Sequence, residues 1–364
     1  MAPRDFVFEA DCKFGILAIQ NVRADVESDV VLQDGTQVLS NFPFKLEDHW
    51  KEWIGSIQFN DLQACKLFLL RSATEGWAEG QLHIAGDEVS EALQHGLGGM
   101  FAMLRLLGPI EYEHAFMLAG YVENGKVTCR HFAQTEHFNI TRGCLPWVIR
   151  ENDLRTAVKL HKAYSLFQDD TPVGQTRRFG RGCYALKAGL ERYYASDRLH
   201  AFVRALEAII LPEQGKTERQ FITRCSFFAG PKTVQASIQE ALREAYKMRC
   251  DIEHVHEWDR SLQTYPPPER ENIALWRTRQ MEALACAAYT KILLDSRLGD
   301  DFYDESKLAA FWQKPENEIR AAFGNACDIS QLSIVRQYDG FGRAACSDWP
   351  SGWIDTLRPR ARSA

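Results

Sequence analysis

Two hydrophobic periodicities divide the chain. In the first half, "DFVFEADCKFGILAIQNV" and "AFMLAGYVENGKVTCRHFAQTEHFNI" are rich in β-branched and aromatic residues and read as strands. In the second of these, Asn124-Gly125 separates two strand-like runs. That pair suits a two-residue hairpin, whose central positions both need φ above zero. Between the runs, "SEALQHGLGGMFAMLRLLG" has helical spacing interrupted by Gly96, Gly98 and Gly99.

From residue 183 to about 297 the pattern is helical. "ALKAGLERYYASDRLHAFVRALEAIIL" puts Leu199, Phe202, Val203, Leu206 and Ile210 at 3-4 spacing and ends at Pro212. "TERQFITRCSFFAG" follows, with Thr217 as a candidate N-cap and Gly230-Pro231 as the stop. "TVQASIQEALREAYKMRCDIEHVHEW" is the third helix. "PERENIALWRTRQMEALACAAYTKILLDSRLG" is the fourth, opening at Pro267-Pro268 and closing near Gly299. Four helices on short connections predict an antiparallel bundle. The expected class is α+β: a mixed α/β domain over 1–168, a Gly/Arg-rich linker "DDTPVGQTRRFGRG" over 169–182, a helical domain over 183–315 and a tail over 316–364. The tail ends in "RPRARSA", which reads as frayed.

Length changes this picture little, since 364 residues suit two domains. No apolar run reaches the roughly eighteen residues of a membrane-spanning helix. "MAPRDFVFEADCKF" lacks the basic-then-apolar order of a secretory signal. The ten cysteines stand singly, without a C-x-x-C pair or zinc-ligand spacing. Free thiols in a reducing cytosol are expected, and neither a metal nor another cofactor is. The net charge of −6 is unevenly spread. Residues 1–165 hold 15 basic against 22 acidic residues, and residues 185–300 hold 17 against 16. A basic patch is therefore open only to the second half.

One position breaks the third helix's apolar stripe. At about 100° per residue, Ile238, Leu242, Ala245, Arg249, Ile252 and His256 share one face. A guanidinium there needs a partner or a polar cleft. Glu253, at i+4, offers the simplest partner: an Arg–Glu pair at the bundle edge, with His254 and His256 in the following loop. In a regular helix His254 points about 140° away from Arg249, and His256 within about 20° of it.

Other polar residues have structural readings beside functional ones. Glu207 interrupts "RALEAII" and pairs with Arg204, sits at an edge, or orients Arg249. Tyr246, at i−3 from Arg249, packs in the core or stacks a base. His200 reads as structural. Arg177, Arg178 and Arg181 form a loop triplet that is solvated or binds nucleic-acid phosphate. His131 and His137 flank "FAQTE" without site spacing, and "HGLGGM" lacks the lysine of a phosphate loop.

"RLHAFVRALEAIILP" followed by "ALREAYKMRCDIEHVHE" resembles the HEPN superfamily, and within it the ApeA-like branch, over roughly residues 180–315. The family hallmark is Arg, four to six residues, then His, at the end of the third core helix. Arg249 to His254 fits with four between, and Arg249 to His256 with six. Cys250 stands where family members often carry Asn or another polar residue. The resemblance implies an all-α HEPN-like helical bundle and a metal-independent endoribonuclease, in a toxin or antiphage system, with RNA as substrate. It implies Arg249 and His254 as catalytic pair, supported by His256, Glu207, Tyr246 and Glu253, and a homodimer through the helical domain. An antitoxin or trigger molecule is a further expected partner, with residues 1–168 sensing or restraining. The alternative from another class is a non-catalytic HEPN module for RNA or nucleotide binding, or for dimerisation.

Overall fold

Every residue of strand β1 (Cys12–Gln20) is buried, even Lys13 and Gln20, because the strand has a neighbour on each edge and a layer on each face. A computed structural model describes residues 11–27, 30–45, 48–74, 88–108, 110, 112, 114–135, 148–169, 177–192, 194–324 and 327–332. After β1 come β2 (Ala24–Asp25), β3 (Val30–Val31), β4 (Gln37–Leu39), α1 (Asp48–Ile54), α2 (Ser56–Gln63), β5 (Cys65–Ala73) and α3 (Glu88–Leu107). Next are β6 (Ala115–Glu123), β7 (Lys126–Thr135) and β8 (Ile149–Arg150). An antiparallel six-stranded sheet has the order β3-β4-β5-β1-β6-β7, and β2 pairs separately with β8.

On one face, Phe14, Ile16 and Ala18 pack with Phe68, Leu70, Phe116 and Leu118 beneath Trp50, Phe59 and Leu62 of α1 and α2. On the other, Gly15 approaches Leu93 of α3. The β6–β7 turn uses Asn124 (φ 50°) and Gly125 (φ 73°), as the sequence predicts. The "HGLGGM" glycines lie inside α3, where Gly99 makes room for the His161 ring. His131 meets Gln94 at 2.5 Å, and His137 lies outside the described residues.

Helix α4 (Glu151–Asp169) carries the chain onward, and the boundary between the two compact units falls within it, after His161. The remaining helices are α5 (Arg178–Glu191), α6 (Ala195–Ile210), α7 (Thr217–Ser226), α8 (Gln235–Glu253), α9 (Pro267–Leu294), α10 (Ser296–Asp301), α11 (Glu305–Phe311) and α12 (Glu316–Phe323). The chain is thus α+β, with its sheet in the N-terminal region and helices after it.

Several boundaries differ from expectation. The stretch read as a linker over 169–182 ends inside a helix, since α5 begins at Arg178. Gly182 lies in that helix because a Cβ there would collide with Tyr289 Oη and Ala208, so the glycine marks a close helix contact and not a loose loop. The first helix expected in this half is two, with Arg192 and Tyr194 both extended between them. The tandem tyrosines have poor helix propensity, and the break lets α5 fold back along α6. Gly182 sits against Ala208 and Gly189 against Phe202, an antiparallel pairing.

Thr217 is the first residue of α7, not its side-chain cap, and that helix stops at Ser226, short of Gly230. Helix α9 ends at Leu294, five residues before Gly299, because Asp295 accepts the amides of Arg297 and Leu298 and starts α10. The tail read as beginning at 316 opens with α12, while residues 333–364, including "RPRARSA", lie outside the described residues.

The predicted stripe Leu199, Phe202, Val203, Leu206 and Ile210 is fully buried. It packs against α9, which is buried on all sides from Gln280 to Thr290, and Tyr289 Oη donates to Ala205 O at 2.8 Å. Two buried arginines there are paired: Arg198 donates to Glu282, and Arg277 to Glu244 and Gln280.

Candidate functional site

Helix α8 delivers Arg249 to the edge of this core. Ile238, Leu242, Ala245 and Met248 are buried, so the same rotation turns Arg249 inward, with a side chain 13% exposed. Its Nη2 lies 3.0 Å from Glu207 Oε2 on α6, and its Nη1 2.5 Å from Glu253 Oε2 one turn on. Glu207 is 14% exposed and Glu253 43%. One carboxylate is a fixed partner and the other faces water. The expected alternative between Arg204 and Arg249 as partner of Glu207 resolves to Arg249. Arg204 forms no ion pair among the described residues.

Burial raises the Glu207 pKa, and the nearby guanidinium of Arg249 opposes this. For Arg249, burial works against the charge, yet Glu207 and Glu253 hold its pKa above the ordinary arginine value. The guanidinium therefore stays charged in a half-dry site. Cys250, next in sequence, has its thiol pKa raised by burial, against the pull of Arg249. Tyr246 is buried against Phe221, with ring centroids 5.4 Å apart, and burial raises its pKa to about 12. Its ring centroid lies 5.9 Å from the Arg249 guanidinium, but a face already packed in the core is not open to a base.

Helix α8 ends at Glu253, with His254 as C-cap. Val255 N–H donates to Ile252 O at 3.0 Å and His256 N–H to Asp251 O at 2.8 Å, the two bonds of a Schellman cap. Val255 then takes φ 58°, a left-handed position that usually falls to glycine, and its side chain is 92% exposed. The regular helix therefore stops at Glu253, and the ideal-helix directions of His254 and His256 no longer apply. His254 and His256 stand exposed, their ring centroids 6.3 Å apart, and neither hydrogen-bonds Arg249.

Beside Glu207 and Glu253 opens a cleft of about 900 Å³ between α5, α6 and the end of α8. Arg178 and Arg181 line it from α5, Arg192 from just past that helix, and His200, Arg204 and Glu207 from α6. Ala185, Ala188, Ala201 and Ala208 make a shallow apolar floor, and Tyr184, 54% exposed, stands at its side.

The arginine triplet is divided. Arg177 stacks on Tyr303 at 3.7 Å and donates to its carbonyl, away from the cleft lining. Arg178 lines the cleft while capping Ala208 O and Glu207 O, and Arg181 lies 3.6 Å from Glu305.

Arg192, Arg204, Tyr184 and His200 are lining residues that sequence reasoning did not bring to the site. The signal for the α6 members is present. Asp197, Arg204 and Glu207, with His200, repeat at 3-4 spacing on the side opposite the apolar stripe. His200 Nε2 lies 3.7 Å from Glu253 Oε1, so one carboxylate faces both Arg249 and an imidazole.

Family models, curated proteins and solved structures yield no match to this chain. Among the described residues, no helix is long and apolar enough to cross a membrane.

Proposed function

We propose that the helical unit is a metal-independent endoribonuclease of the HEPN type, serving as a toxin or antiphage effector and working as a homodimer on RNA. The observation that supports this most is a charged arginine, fixed by the buried Glu207, at the edge of an arginine-lined cleft. RNA cleavage places negative charge on a phosphate, and a preorganised, bidentate cation is what that charge needs. A phosphate would replace the exposed Glu253 on Nη1 while Glu207 keeps its hold on Nη2. His254 and His256, on the cap just beyond, supply imidazoles for proton transfer. Residues 1–168 are proposed to sense a trigger or restrain the nuclease, and an antitoxin is a candidate partner.

A second reading is a non-catalytic HEPN module that binds RNA or nucleotide, or dimerises. It draws support from the two carboxylates already on Arg249 and from the absence of a hydrogen bond between Arg249 and either histidine of its motif. Purified protein on single-stranded RNA separates the two. Cleavage that persists in excess EDTA, leaves 2′,3′-cyclic phosphate ends and is abolished by Arg249→Ala without unfolding is the expected result. RNA binding without cleavage favours the second reading. Loss of cleavage on chelation, restored by magnesium, removes metal independence.

A further inference from the structure

The histidines of the Arg-to-His spacing stand on an exposed helix cap, whereas a third imidazole lines the cleft itself. His200, one turn before Arg204 on α6, has a side chain 23% exposed. Its Nε2 faces Glu253 Oε1 at 3.7 Å, and the other oxygen of that carboxylate holds Arg249. Glu207, Arg249, Glu253 and His200 therefore form a continuous chain of charged and polar groups from the buried edge of α6 into the cleft. A carboxylate 3.7 Å from one ring nitrogen is placed to orient the ring once they draw together, leaving the other nitrogen for chemistry. Here that other nitrogen is Nδ1, which makes no hydrogen bond among the described residues.

We propose that His200 is the proton acceptor of the Arg249 cleft, with its Nδ1 taking the proton of an RNA 2′-hydroxyl. The inference rests on the ribonuclease reading above and assigns the base within it. The 2′-oxygen bonds to phosphorus as its proton passes to His200, and the bond from phosphorus to the 5′-oxygen breaks. The departing 5′-oxygen takes a proton from a second imidazole, His254 in that reading, giving a 2′,3′-cyclic phosphate and a 5′-hydroxyl. Arg249 faces the charge on the non-bridging oxygens. Burial first, and Arg249 next, lower the His200 pKa, while Glu253 raises it and Arg204 lowers it. Arg178, Arg181 and Arg192 across the cleft, and Asp197 and Glu207 on its own helix, complete the charged surroundings. A ring kept neutral at neutral pH is the form a base requires.

The full chain is assayed on single-stranded RNA from about pH 5 to about pH 9, as wild type, His200→Ala, His200→Gln and His254→Ala. Both His200 variants should lose about 100-fold or more in kcat, the usual loss for a proton-transfer group. They should also lose the acidic limb of the rate profile that deprotonation of His200 creates. Added imidazole should restore part of the His200→Ala rate and leave wild type unchanged. Glutamine preserves much of the packing, so a melting temperature near wild type separates chemistry from misfolding. His200 variants within about threefold of wild type, or with an unchanged acidic limb, overturn the assignment alone. Wild-type protein that leaves RNA intact overturns the ribonuclease reading, and this one with it.

Discussion

Arg249 of α8 reaches Glu207 of α6 at 3.0 Å, across 42 residues of sequence, with both side chains less than one-sixth exposed. Removing one member of such a pair leaves the other charge stranded in a half-dry site. Arg249→Ala should cost about 2 kcal/mol, less than a fully buried pair because some solvent reaches the site. Arg249→Ala with Glu207→Gln should recover part of that loss. Urea denaturation of the single and double variants checks this, and independent, additive losses would show that the pair is not coupled.

Val255 carries a β-branched side chain at φ 58°, in the cap that presents His254 and His256. A left-handed conformation costs a β-branched residue more than 1 kcal/mol, and glycine nothing. Val255→Gly should therefore stabilise the fold by about 1 kcal/mol, after allowing for the extra freedom of glycine in the unfolded chain. An unchanged or lowered melting temperature would count against the left-handed cap.

His200 makes stability depend on pH. Burial and Arg249 lower its pKa from the usual 6.5, so the unfolded chain binds the proton more readily than the folded one. Its contribution is complete above the unfolded value and is lost as pH falls through the folded value. Urea midpoints should drop more steeply below pH 6.5 in wild type than in His200→Gln. Parallel curves would mean that the ring is not held neutral.

The homodimer expectation has a direct measurement. Light scattering at micromolar concentration should give about twice the chain mass of 41.6 kDa. A monomer that still cleaves RNA would refute a shared site.

Local patterning was enough for much of the fold. The 3-4 spacing of Leu199, Phe202, Val203, Leu206 and Ile210 made one face apolar, and that face is the buried one. Asn124-Gly125 specified its turn because few other pairs accept two left-handed residues in succession. The same periodicity placed Arg249 on an inward stripe, with Glu253 one turn on as its local partner. What local patterning does not encode is which distant groups meet. Glu207 chose Arg249 over Arg204 because packing brings α6 and α8 together. Gly182 has linker composition, yet Tyr289 occupies the space beside it, and His200 lines a cleft that exists because α5 folds back along α6. Helical periodicity tells a residue which way to face; only the neighbouring helix decides whether it faces core, solvent or a charged partner, and that neighbour is set by burial summed over the whole unit.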